Sequence, residues 1–193
     1  MSKKVGLFGG SFDPVHNGHQ KIAASYLASG KIDVLWVVPS ASPPHKSRHL
    51  TDFDIRCEML DAAFNNRAGV EVVRIEESLP APNYTLRTVK HLKDEYPTIK
   101  FFLCIGSDSL RQITTWYHYR ELLSHCELLV AKRPDYDVSD IPPEASVHFV
   151  NHEPVPFSSS EIRSRISERQ TVNDMVPAEV SEIIEKIELY RIK

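Results

Sequence analysis

Short apolar runs alternate with longer stretches of helical period along the first 150 positions of the chain. Val5-Gly6-Leu7-Phe8, Val34-Leu35-Trp36-Val37-Val38 and Val70-Glu71-Val72-Val73 read as the first three strands. Phe101-Phe102-Leu103-Cys104-Ile105, Leu128-Leu129-Val130 and Val147-His148-Phe149-Val150 read as the next three. Most are apolar at successive positions rather than at every second one, which suits a parallel sheet covered on both faces. Between the strands, Ile22, Ala23, Tyr26 and Leu27 share a face before Gly30 stops their helix. Thr51 is placed to cap a second helix, with Ile55, Met59 and Ala62 turned inward. Leu86, Val89, Leu92 and Tyr96 form a third stripe, ended by Pro97.

After Val150 only helical patterns remain. Ser158-Ser159-Ser160-Glu161 has the form of a capping box, and Pro177 opens a helix with Val180, Ile183, Ile184 and Ile187 on one face. The expectation is an α/β fold: a Rossmann-like doubly wound parallel sheet over residues 1–150 with a helical C-terminal extension over 151–193, together one domain. Sheets of this kind bind ligands outside the carboxyl ends of their strands.

Composition narrows the function classes. A chain of 193 residues with 41% hydrophobic and 25% charged positions has the material for one soluble core. A net charge of -3 argues against a broad nucleic-acid surface, while leaving room for a local basic pocket. No apolar run approaches the roughly 20 residues that span a bilayer. Met1-Ser2-Lys3-Lys4-Val5 leads straight into a strand, not into a secretion signal. Cys57, Cys104 and Cys126 are odd in number and widely spaced, so a disulfide framework and a zinc ribbon are both disfavoured. A cytoplasmic protein without nucleic-acid or membrane partners is expected; a homo-oligomer stays open.

The first candidate site follows the first strand: Gly9-Gly10-Ser11-Phe12-Asp13-Pro14-Val15-His16-Asn17-Gly18-His19. Gly9 and Gly10 let the backbone approach a ligand, with N–H groups turned to phosphate. His16 and His19 share one face at a helix start, where imidazole donors and helix amides suit a polyphosphate. Gly18 between them is expected to leave room for the ligand. Taken alone, such a pair is equally well explained by local capping. The run as a whole resembles the Gly-Gly-Ser/Thr-Phe-Asp-Pro-x-His-x-Gly-His signature of the nucleotidyltransferase superfamily. The resemblance implies that His16 and His19 contact ATP phosphates, with Gly9, Gly10, Ser11, Phe12 and Gly18 around them.

The second candidate site, Phe157-Ser158-Ser159-Ser160-Glu161-Ile162-Arg163, sets hydroxyls and unpaired amides at a helix start. Taken alone, a plain capping box is the favoured reading. It resembles the Ile-Ser-Ser-Thr/Ser-x-x-Ile-Arg signature of the same superfamily, with Phe157 replacing Ile. That resemblance makes Ser158, Ser159, Ser160 and Arg163 phosphate ligands, and makes the C-terminal helices complete the ATP site.

The middle of the chain bears on the acceptor. Pro43-Pro44-His45-Lys46, Asn83-Tyr84-Thr85-Leu86-Arg87-Thr88 and Ile105-Gly106-Ser107-Asp108-Ser109-Leu110 resemble segments of the bacterial nicotinate-nucleotide adenylyltransferases. Trp116-Tyr117 and Lys132-Arg133-Pro134 continue the match, with Asp135 where Gly is usual. The resemblance implies pyridine-nucleotide contacts from Pro44, His45, Tyr84, Thr85, Trp116 and Tyr117. It also implies ATP contacts from Gly106, Asp108 and Arg133, and catalytic roles for His16, His19, Lys46 and Arg163.

The reaction implied is transfer of AMP from ATP to nicotinate mononucleotide, giving deamido-NAD and pyrophosphate, with the preference between the nicotinate and nicotinamide forms of the acceptor left open by the sequence. Mg2+ would ride on the ATP phosphates, with no protein metal site. A phosphopantetheine adenylyltransferase and a non-catalytic nucleotide sensor are the rival readings. The Trp116-Tyr117 pair and the helical extension speak against the first, and the intact histidine and arginine positions against the second.

Overall fold

The computed structural model describes residues 2–44, 50–132 and 141–191. All six expected strands form: β1 (Lys4–Gly10), β2 (Val34–Pro39), β3 (Val70–Val72), β4 (Lys100–Gly106), β5 (Glu127–Lys132) and β6 (Val147–Asn151). They make one parallel sheet in the order β3-β2-β1-β4-β5-β6. Strand order therefore reverses between β1 and β4, and a crevice opens at their carboxyl ends.

Period-two alternation divides each strand between two cores. Leu35 and Val37 face a cluster that also holds Phe8, Tyr26, Met59, Ile162, Val180 and Ile184. Val34, Trp36 and Val38 face the opposite cluster, with Leu7, Leu86, Val89, Leu92 and Leu122. The first face is covered by α1 (Asn17–Ala28), α2 (Phe53–Phe64), α6 (Ser159–Ser167) and α7 (Ala178–Lys186). The second is covered by α3 (Thr85–Glu95) and α5 (Tyr119–His125), with the short α4 (Ser107–Arg111) at the end of β4. Among the described residues no helix is long and apolar enough to cross a membrane.

Three local expectations need correction. Asp52, not Thr51, caps α2, its side chain accepting the Asp54 N–H. The buried stripe of that helix is rotated: Arg56, Cys57, Met59, Leu60, Ala63 and Phe64 are buried, while Ile55 and Ala62 are half-buried. Ile187 does not join the apolar face of α7; it ends the helix and is 45% exposed, because Leu189 and Tyr190 take the packing position beyond it.

Candidate active site

Beyond β1 the chain turns through Ser11 to Val15 and enters α1. Phe12 adopts φ 46°, a left-handed conformation that costs a non-glycine residue on the order of 1–3 kcal/mol. Packing offsets the strain: the buried ring stands edge-on to Phe8 at 5.4 Å and to His19 at 5.0 Å. The Phe12 side chain is thus an anchor in the core, not the phosphate contact expected of it, and any ligand contact falls to its backbone.

The two histidines cap α1. His16 Nδ1 accepts the Gly18 N–H and His19 Nδ1 accepts the His16 N–H, each at 3.1 Å. Imidazoles here play the parts that a hydroxyl and a carboxylate play in an ordinary capping box. The rings stack with centroids 3.7 Å apart. Local capping is therefore real, and it has a chemical consequence. With both Nδ1 atoms accepting, the hydrogen bonding assigns the proton of each neutral ring to Nε2, which makes both side chains Nε2–H donors. Burial lowers the His16 pKa to about 4, so its ring is neutral near pH 7.

Gly18 is explained by the protein itself. A Cβ there would stand 2.6 Å from Val155 Cγ2 and 2.9 Å from the His16 ring. The space expected for a ligand is already filled by the imidazole. Gly9 and Gly106 are different, since a Cβ on either would meet nothing within 4 Å among the described residues.

The second motif folds onto the first. Ser158 Oγ accepts the Glu161 N–H at 3.3 Å, while the Glu161 carboxylate pairs with Arg165 at 2.9 Å. Ser159 Oγ donates to the Pro14 carbonyl at 2.9 Å, and Arg163 Nη1 donates to the Asp13 carbonyl at 2.6 Å. Arg163 Nη2 donates to Ser160 Oγ at 3.0 Å. The loop before α7 joins in, its Met175 carbonyl accepting the Asn17 N–H at 2.9 Å. Hydroxyl, guanidinium and imidazole donors from two ends of the sequence converge on one helix start.

Beside this cluster lies a cavity of about 300 Å3. Gly9 and Gly10 of β1 form one side; Pro44, Tyr84, Thr85, Trp116 and Tyr117 line the rest. Tyr84 and Tyr117 stack on each other at 4.2 Å, with the Arg87 guanidinium 5.3 Å from the Tyr84 ring centre. Trp116 is half-buried and packs on the second core. Thr85 opens α3, so the first amides of that helix lie at the cavity wall. Gly106 caps α4 and Asp108 is exposed in its first turn, next to the lining residues Ile105 and Ser109. His45, Lys46 and Arg133 lie outside the described residues.

Four polar residues of this region escape sequence reasoning. The Asp13 carboxyl is fully buried and accepts the Tyr190 hydroxyl at 2.6 Å. Arg56, 1% exposed, donates to the carbonyls of Ser11 and Thr51. Its signal is a charge inside the apolar series Met59, Leu60 and Ala63. Glu76 lines the cavity, accepts from Thr88 Oγ1 at 2.8 Å, and is held above the ordinary carboxyl range by burial.

Comparisons with known proteins agree with this geometry. Residues 7–165 match the family model described as cytidylyltransferase-like. The nicotinate-nucleotide adenylyltransferase of Bacillus subtilis (strain 168) is 34% identical over 189 residues, covering 97% of this chain and 98% of that protein. The chain belongs to the nicotinate-nucleotide adenylyltransferase family. Among solved structures, Plasmodium falciparum nicotinic acid mononucleotide adenylyltransferase complexed with NaAD aligns with a TM-score of 0.81 at 22% identity, covering 97% of each chain. The same enzyme complexed with APC aligns at 0.79 and 21% identity, again over 97% of each. At such identities these two likenesses establish the shared fold, the doubly wound sheet described above. Within this family assignment, the chain is a nucleotidyltransferase enzyme, not a binding module that merely shares the architecture.

Proposed function

We propose that the chain transfers the AMP moiety of ATP to nicotinate mononucleotide, forming deamido-NAD and releasing pyrophosphate in NAD biosynthesis. The observation that carries this reading is the direct joining of the two phosphate motifs, Ser159 to Pro14 and Arg163 to Asp13, beside an aromatic cavity. A polyphosphate track and a flat-ring pocket side by side suit a reaction between ATP and a nucleotide bearing a planar base.

The acceptor's 5′-phosphate is already anionic at neutral pH, so its attack on the α-phosphorus needs no general base. Catalysis rests on alignment and on neutralising charge as pyrophosphate departs. His16 and His19 would donate Nε2–H bonds to the phosphates, and Arg163 would offer its guanidinium. Gly9, Gly10, Ser11 and Ser158 to Ser160 would shape the track, as the helix start at α6 favours negative charge. Lys46 and Arg133 keep their phosphate roles on the resemblance alone.

On the acceptor side, the indole of Trp116 would stack on the electron-poor pyridinium. Amides at Thr85 and Tyr117 would receive the nicotinate carboxylate. The Tyr84–Tyr117 stack and Pro44 would shape the pocket as a slot for a flat ring. Asp108 would bind ribose hydroxyls. Among the described residues no group of three or more His, Cys, Asp or Glu side chains is placed to hold a metal ion. The phosphate track is made of N–H and O–H donors, which suit phosphate oxygens, so Mg2+ would be ligated by ATP and water. Its chemistry would be to neutralise charge on the departing pyrophosphate. The three cysteines are free and buried, which supports a reducing cytoplasmic setting.

Isotope placement tests the reaction. With ATP labelled at the α-phosphorus, the label should appear wholly in the dinucleotide and none in pyrophosphate. Label in pyrophosphate or in free AMP alone would contradict adenylyl transfer.

A further inference from the structure

Beyond α7 the chain does not simply trail away. Leu189 donates its N–H to the Ile184 carbonyl at 2.9 Å, and Glu188 and Tyr190 adopt φ of 50° and 66°. These left-handed residues turn the segment back onto the first core, where Leu189 and Tyr190 pack. The turn brings the Tyr190 hydroxyl to Asp13 Oδ1 at 2.6 Å, across 177 residues of sequence. Burial raises the Tyr190 phenol well above its ordinary pKa, with the Asp13 carboxyl adding to the effect, so the hydroxyl keeps its proton and donates throughout the working pH range.

Asp13 is the pivot of the phosphate turn. Its other carboxyl oxygen takes the Thr51 N–H at 3.4 Å, and its carbonyl takes Arg163 Nη1. Two residues earlier Arg56 holds the Ser11 carbonyl at 2.8 Å, and between them stands Phe12 in its left-handed conformation. A turn that is strained at one residue keeps its shape only while its neighbours hold it. Tyr190 is one of those holds, and it grips the side chain of the same residue whose backbone receives Arg163.

We infer that Tyr190 is a positioning residue for the phosphate-binding turn, acting through its hydrogen bond to Asp13. The α7 helix and the turn after it are thereby part of the ATP site although they supply no ligand of their own. The consequence is selective. Loss of the hydroxyl loosens the turn from Ser11 to His16, while the acceptor slot shares only Gly9 and Gly10 of β1 with that segment and takes its Pro44, Tyr84, Thr85 and Trp116 walls from other elements. The inference rests on the reading of this turn as the ATP phosphate site, so its test uses binding and needs no turnover.

Calorimetric titration of Tyr190→Phe and of the unaltered protein, with MgATP and separately with nicotinate mononucleotide, gives the readout. Phenylalanine keeps the ring and its packing, and thermal melting checks that both proteins are folded at the assay temperature. MgATP should bind the variant about 5–10-fold more weakly, as expected for one lost hydrogen bond of this kind, with mononucleotide affinity unchanged within twofold. In an Asp13→Asn background the same replacement should add less than twofold. MgATP affinity within twofold of the unaltered protein, or equal weakening of both ligands, would overturn the proposal. Failure of the unaltered protein to bind MgATP at all would instead count against the ATP-site reading.

Discussion

In the proposed function His16 carries two duties that a pair of substitutions can separate. Its Nδ1 caps α1 through the Gly18 N–H, and its Nε2–H is assigned to the phosphates. Asparagine is among the best capping residues and can present its side-chain oxygen to the same amide, but it lacks the reach of Nε2. Alanine removes both functions. Both replacements lose the stack with His19, so that loss cancels when the two are compared. The cap should leave His16→Asn about 1 kcal/mol more stable than His16→Ala. Removing one donor aimed at developing charge typically costs about 2.7–4 kcal/mol of transition-state stabilisation. Both variants should therefore lose on the order of 10²–10³ in kcat. The assay is denaturant unfolding together with pyrophosphate release at saturating MgATP and nicotinate mononucleotide. If His16→Asn turned over within tenfold of wild type while His16→Ala was merely less stable, the histidine would be a helix cap and nothing more.

Two further outcomes follow from the same corner of the molecule. Gly18→Ala should destabilise the fold by about 1–3 kcal/mol, because the added methyl meets Val155 and the His16 ring at under 3 Å; an unchanged unfolding midpoint would contradict that packing. The second concerns pH. Burial holds His16 at about 4 against an ordinary 6.5, so between those values the unfolded chain binds the extra proton. The stability this residue contributes is present above pH 6.5 and is lost as pH falls through that window, by about 3 kcal/mol at most. His16→Asn should accordingly lose less stability than wild type between about pH 7 and pH 4.5, and equal losses in the two proteins would refute the assigned burial effect.

The sheet was readable because parallel strands buried on both faces leave continuous apolar runs, and Val34 to Val38 or Phe101 to Ile105 allow few other readings. The helical faces were less secure. In α2 a buried arginine sits among apolar neighbours, so the stripe drawn through Ile55 and Ala62 missed the true face by one position. The motifs drew attention to the turn after β1, but not to how it is built. Imidazole is no favoured cap, so nothing in the spacing of His16 and His19 distinguished a reciprocal box from a pair of ligands. Phe12 and Gly18 stood in the motif as site residues, yet the Phe12 ring is placed by packing against Phe8 and Gly18 is required by the closeness of Val155 and His16. The Asp13–Tyr190 bond spans nearly the whole chain. No periodicity or local motif encodes such a contact, because it exists only once α7 has docked.

In the proposed function the slot beside the phosphate turn accepts a pyridine mononucleotide. Pyrophosphate release from MgATP, measured with nicotinate mononucleotide, nicotinamide mononucleotide and phosphopantetheine each as sole acceptor, addresses it directly. Strong turnover is expected with the nicotinate form and far less with the other two. Turnover confined to phosphopantetheine, or none with any acceptor, would contradict it.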